Sequence, residues 1–251
     1  MMVEKDESFV LAQEVHNSFA AKVSGRLETL RINFYVFDRN YQELIRILEG
    51  IKNTEVWFKI WDPKNPEALD ILLCETARLL QNFLASAKAL VEHTQIVISS
   101  WYKSTEFLDE YHCQVTTRFR NNPLIGFVEE LRNFGLHYSI PVTNANLELK
   151  IAEDRSSTTA DFSLVLEKSI LLEWSRWTRK GKAYLSTAPD SIDIGVIARD
   201  YYQMIKDFHF WMYERLRSLH ASELAWLDEM RKRIINSMSE EERQDRGLVK
   251  Q

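Results

Sequence analysis

The sequence has little of what would announce a chemistry at once. Two cysteines, Cys74 and Cys113, stand far apart in 251 residues. That argues against a disulfide framework, and no cysteine spacing suits a metal. There is no glycine-rich phosphate loop and no serine nucleophile elbow. No run of 18 apolar residues occurs, so no membrane span is expected. The opening MMVEKDESFV lacks a cationic stretch leading into an apolar one, so it does not read as a signal peptide and the cytoplasm is the expected location. Cations are not in excess. The net charge of −5 argues against tight, sequence-blind binding to nucleic acid, though it leaves room for a small basic pocket. Internal repeats and low-complexity linkers are also missing.

What is present is a soluble globular composition with many aromatic residues, enough for a sizeable core. Apolar residues recur at helical spacing through most of the chain. The spacing predicts helices over 7–22, 25–50, 67–102, 104–118, 123–139 and 169–178, then a long final one from about Asp190 or Ser191 to Ser237. That last helix runs in one piece or with a break around His220 to Ser222. Ser104 or Thr105 can cap the 104–118 helix. EVWFKIWDPKNP, with two prolines, reads as a connecting loop. The β-branched run TQIVISS weakens the far end of the 67–102 helix, so a bend or a break is expected near 94–100. Over 142–168 the pattern changes to short alternating runs around the polar spacer DRSSTTA, which predicts an inserted β-hairpin. The expected fold is therefore mainly α, a bundle of long antiparallel helices with a small β-hairpin. It forms one domain over 1–238, followed by a polar tail over 239–251.

One segment is unusual: NNPLIGFVEELRNFGLHYSIP, residues 121–141. Asn122 can cap a helix and Pro123 can fill its first turn. Leu124, Phe127, Val128, Leu131, Phe134 and Tyr138 mark its buried stripe, and Pro141 ends it. Asn133 and His137, four apart, share a face, so Asn133 can orient the ring. Arg132 is about 140° around the helix from His137, so the two cannot stack but can reach one anion. His137 sits in the last turn, where the dipole favours the protonated ring. Gly135, inside the helix, invites the close approach of another helix or of a ligand. Gly126, in the first turn, costs little. The residues also fit a plainer account, in which Arg132 pairs with Glu129 on the surface and His137 is a half-buried helix-end histidine.

The Arg132-Asn133-x-x-x-His137 pattern resembles the signature of the HEPN superfamily, helical domains found in many prokaryotic toxins, abortive-infection proteins and CRISPR-associated ribonucleases. The resemblance covers roughly twenty residues. It implies a helical bundle, a homodimer that brings two motifs together and, in active members, RNA cleavage without a metal or other cofactor. In that chemistry Arg132 holds the scissile phosphate, His137 exchanges the proton and Asn133 positions the ring or the substrate; the RNA 2′-OH attacks and leaves a cyclic phosphate. The length, the acidity and the following hairpin depart from compact toxins, and many relatives of this kind only bind nucleotides or protein partners. The expectation is a non-catalytic nucleotide-, RNA- or protein-binding module, with metal-independent endoribonuclease activity of the toxin or phage-defence type as the alternative.

Further cations offer phosphate contacts. Arg118 and Arg120 flank the turn before the motif helix. Lys180 and Lys182 belong to a cluster with Arg176 and Arg179, interleaved with Trp174 and Trp177. Such a mixture suits single-stranded RNA. It equally suits two core tryptophans beside the capped end of a helix. Asp109, His112 and Cys113 lie close together, but further metal ligands are not visible, so no metal is expected.

Overall fold

The computed structural model describes residues 7–139, 141, 143–151 and 158–238. Residues 152–157, which include 154–157 of the polar spacer, residue 142 at the expected start of the hairpin, and the tail over 239–251 lie outside the described residues; the rest of the spacer, 158–160, belongs to a strand. Ten helices and three strands are present among the described residues. The described residues group into two compact units, 7–32 with 210–238 and those within 33–209.

The smaller unit takes in α1 (Glu7–Asn17), the start of α2 (Phe19–Gly50), the end of α9 (Ile194–Leu219) and α10 (Ala221–Ser237). Helix α1 packs along α10. Leu11, Val23, Leu27, Met212, Leu216, Leu227 and Met230 are buried in it. One long helix was expected over 7–22. It is broken at Ser18, whose hydroxyl donates to Val15 O and accepts from Ala21 N, capping a new helix. Of the two alternatives for the last long helix, the broken one is present, with α9 ending at Leu219 and α10 starting at Ala221.

The larger unit holds α3 (Thr54–Ile60), α4 (Ala68–Trp101), α5 (Glu106–Phe119), α6 (Pro123–His137), α7 (Lys168–Leu172) and α8 (Arg179–Thr187). Strands β1 (Thr143–Ile151) and β2 (Thr158–Glu167) pair antiparallel from Thr143↔Leu166 to Ile151↔Thr158. A third strand, β3 (Ser191–Asp193), pairs antiparallel with the far end of β2, so the expected hairpin is part of a three-stranded sheet in the order β1-β2-β3. The core joins α2, α4, α6, the sheet, α8 and α9 through Phe37, Phe83, Phe127, Leu131, Phe134, Leu164 and Tyr201.

Several local differences have physical causes. The connecting loop contains α3, started by the Asn53 side chain accepting from Glu55 N. Helix α4 runs through TQIVISS to Trp101. Thr94 and Ile98 are buried there, and packing outweighs the few tenths of a kcal/mol that each β-branched residue costs. At the start of α5 the cap is Thr105, which accepts from Leu108 N; Ser104 takes a left-handed conformation with φ 61°. The helix expected over 169–178 is the five-residue α7. The basic run RKGK opens a separate helix, α8.

Candidate functional site

Helix α6 begins as its sequence indicates. Asn122 Oδ1 accepts from Leu124 N at 2.9 Å, and Pro123 occupies the first turn. Its apolar face is an aromatic stack. The Phe127 ring lies 4.3 Å from Tyr184 and 5.5 Å from Trp177, and Phe134 meets Trp174 edge-on at 5.8 Å. Trp177 Nε1 donates to Leu171 O at 2.6 Å. Trp174 and Trp177 are thus core anchors and offer no stacking platform to RNA.

Two close approaches tie α6 to α8. A methyl group on Gly126 would collide with Lys180 Cβ, and one on Gly181 would strike Glu130 Oε2 and the Trp177 ring. Neither neighbour can withdraw easily, so both glycines are required by the helix crossing. Gly135 is under less pressure, since a methyl there would meet Pro141 Cδ at an ordinary 3.4 Å. The close helix approach expected at Gly135 therefore occurs at Gly126. Between the two notches lies Glu130, buried at 7% exposure. Its carboxylate accepts from Thr178 N at 2.7 Å and from the Thr178 hydroxyl. Thr178 immediately precedes α8, so Glu130 supplies from another helix an acceptor that the first turn of α8 needs.

This crossing places the predicted phosphate-binding cations. Lys180, its stem against the first turn of α6, is exposed, as is Lys182. Arg120 lies just beyond α5 and is exposed; Arg118 is half-buried and donates from Nε to Gln114 Oε1 at 2.9 Å. The turn carrying Arg118 and Arg120 leads directly into the end of α6 that Lys180 covers.

The predicted catalytic residues lie at the other end. Arg132 is half-buried and lines a narrow groove with Lys88 and Ala87 of α4, Glu129, and Tyr201 of α9. Lys88 Nζ pairs with Glu92 at 3.3 Å. Burial pushes the Tyr201 phenol far above its usual range, with Glu129 adding to the effect, so it remains a neutral group on the groove floor. Arg132 Nη1 donates to Asn133 Oδ1 at 3.5 Å, the long limit of such a bond. Neither the Glu129–Arg132 ion pair nor a hydrogen bond from Asn133 to the His137 ring is present among the described residues. His137 is exposed and does not line the groove of Arg132. Beside it Leu136 and Tyr138 are also exposed, as is Leu172 of α7, and the Tyr138 hydroxyl donates to Glu173 Oε2 at 3.1 Å. That carboxylate raises the Tyr138 phenol pKa.

Sequence reasoning missed Glu130 and Lys88. Glu129 and Glu130 are adjacent and alike until Thr178, 48 residues away, selects the buried one. Lys88 carries no local signal, because its relevance comes only from facing Arg132 across the groove. Among the described residues no group of three or more histidine, cysteine or acidic side chains could hold a metal ion. None of their helices is long and apolar enough to cross a membrane. No protein-family model, curated protein or solved structure matches the chain.

Proposed function

We propose that the chain is a non-catalytic binding module, HEPN-like at its motif helix, that holds RNA or a nucleotide by its phosphates along the edge formed by α5, α6 and α8. The observation that carries this reading is the seat of Lys180 on Gly126. It sets Lys180 at the start of α6, the end that follows the turn beside Arg118 and Arg120, about sixty residues earlier in sequence. Arg120 and Lys180 are exposed there, Lys182 is exposed further along α8, and the nearby buried carboxylate of Glu130 is engaged by Thr178. Arginine forks and lysine ammonium groups on one edge suit a phosphate backbone. The non-catalytic part rests on His137, whose ring has no partner among the described residues to fix its orientation.

The test is fluorescence anisotropy of a labelled single-stranded RNA and of a labelled nucleotide at several salt concentrations. The double variant R120A/K182A should bind roughly tenfold more weakly and lower the salt slope by about 1. No binding at low salt, or an unchanged slope in the variant, overturns the proposal.

A second reading is metal-independent RNA cleavage, favoured by the Arg132 guanidinium held beside the Asn133 carboxamide. The ribose 2′-OH would attack its own phosphate, His137 would move the proton, and a 5′-hydroxyl and a 2′,3′-cyclic phosphate would result. A homodimer would supply a second motif. Incubating RNA with the protein in a chelator should then give those ends, and H137A should abolish them. Light scattering reads the dimer.

A further inference from the structure

An open hollow lies in the smaller unit. Its volume is about 350 Å³, and it is lined by Ser18, Phe19, Ala20, Ser222, Glu223 and Trp226. It sits where the α1/α2 break at Ser18 faces the α9/α10 break at His220. Each break sets the end of one helix against the start of the next, so the opposed helix dipoles largely offset each other there.

The lining has one charge and two aromatic side chains. Phe19 is 56% exposed although it is a large apolar residue, and Trp226 is partly exposed. Glu223 Oε2 accepts from the Ser222 hydroxyl at 2.8 Å, and Oε1 lies 3.9 Å from His220 Nδ1. The Ser222 hydroxyl is the main cause holding the Glu223 carboxyl below its usual range, so it is an anion at neutral pH. Burial depresses the His220 pKa, with Arg26 adding to this against the pull of Glu223, so the ring is mostly neutral at pH 7. Phe19 meets His220 edge-on at 6.2 Å, which holds the ring at the rim. Arg26 and Lys22, the basic residues of the first turns of α2, do not line the hollow.

We infer that this hollow binds an organic cation, the guanidinium or ammonium group of a partner's side chain or of a free amine, between Phe19 and Trp226 and against Glu223. Aromatic faces attract such cations, and a carboxylate at the same site adds charge and hydrogen-bond acceptors. A metal ion is a poorer occupant, since a single carboxylate is too few ligands. An anion or a neutral aliphatic group would leave Glu223 repelled or desolvated.

The experiment uses the full chain labelled with 5-fluorotryptophan, followed by fluorine NMR, with W226F assigning the Trp226 signal. Acetyl-arginine amide represents a partner's side chain, tetramethylammonium a free ammonium compound, and acetyl-citrulline amide is the neutral isostere of the first. A saturable shift of the Trp226 signal with either cation, at least about tenfold weaker with the citrulline compound, is expected. The better of the two cations identifies the source. E223Q should weaken binding of that cation by about tenfold, and F19L severalfold. The inference is overturned if no cation shifts the Trp226 signal saturably, if citrulline matches arginine with tetramethylammonium inactive, or if folded E223Q binds as well as the unaltered chain. Should E223Q lose its helical circular dichroism, the cation-against-isostere comparison on the unaltered chain decides alone.

Discussion

The two ends of α6 are built on different terms. At the first, Asn122 caps the helix, Gly126 receives the stem of Lys180, and Glu130 holds the chain entering α8. At the last, Leu136, His137 and Tyr138 all face solvent; the Tyr138 ring rests on Phe134 of the same helix, and its hydroxyl makes an exposed hydrogen bond to Glu173. The residues that read as reactive in sequence occupy the less constrained end. Those that read as ordinary helix carry the packing. A chemically suggestive spacing and a preorganised site are therefore separate properties, and here they part within fifteen residues.

The contrast can be tested by its energetics. The largest effect is expected from E130A, which strips the acceptor from two donors of Thr178; about 3 kcal/mol of stability should be lost, read as a shift of the urea midpoint at unchanged slope. G126A should cost about 2 kcal/mol by forcing a methyl into Lys180, and G181A a similar amount. N122A removes only a cap and should cost about 1 kcal/mol. At the other end, H137A and L136S should stay within about 0.5 kcal/mol of the unaltered protein. If the last pair cost as much as the glycine variants, the two ends are not different in kind. If E130A is neutral, the carboxylate does not hold the entry to α8.

Much of the helical framework was legible because periodicity, caps and Pro123 all act locally. The start of α6 follows from Asn122 and Pro123 and its end from Pro141, and a break around His220 was one of two open alternatives. Elements that depend on distant contacts were not legible. β3 is three residues long, too short to show an alternating pattern, and exists because β2 offers it an edge. α8 was hidden by Gly181, which looks like a helix breaker until Glu130 and Trp177 are seen to fill the space where a side chain would be. The same limit applied to the candidate site. Arg132, Asn133 and His137 could be picked out by spacing. That Arg132 faces Lys88, or that Lys180 sits at the start of α6, depends on helix crossings that no short window of sequence contains.

The paired glycine notches bear on recognition as well as on stability. With a methyl-sized gap on each helix filled by the other, α8 cannot turn by one residue, about 100°, without driving a side chain into its neighbour. The ammonium stems that leave α8 therefore start from a fixed origin relative to α5 and α6, like graduations on a ruler. A ligand reading that edge would meet charges at set intervals before it arrived, and would lose little entropy in arranging them.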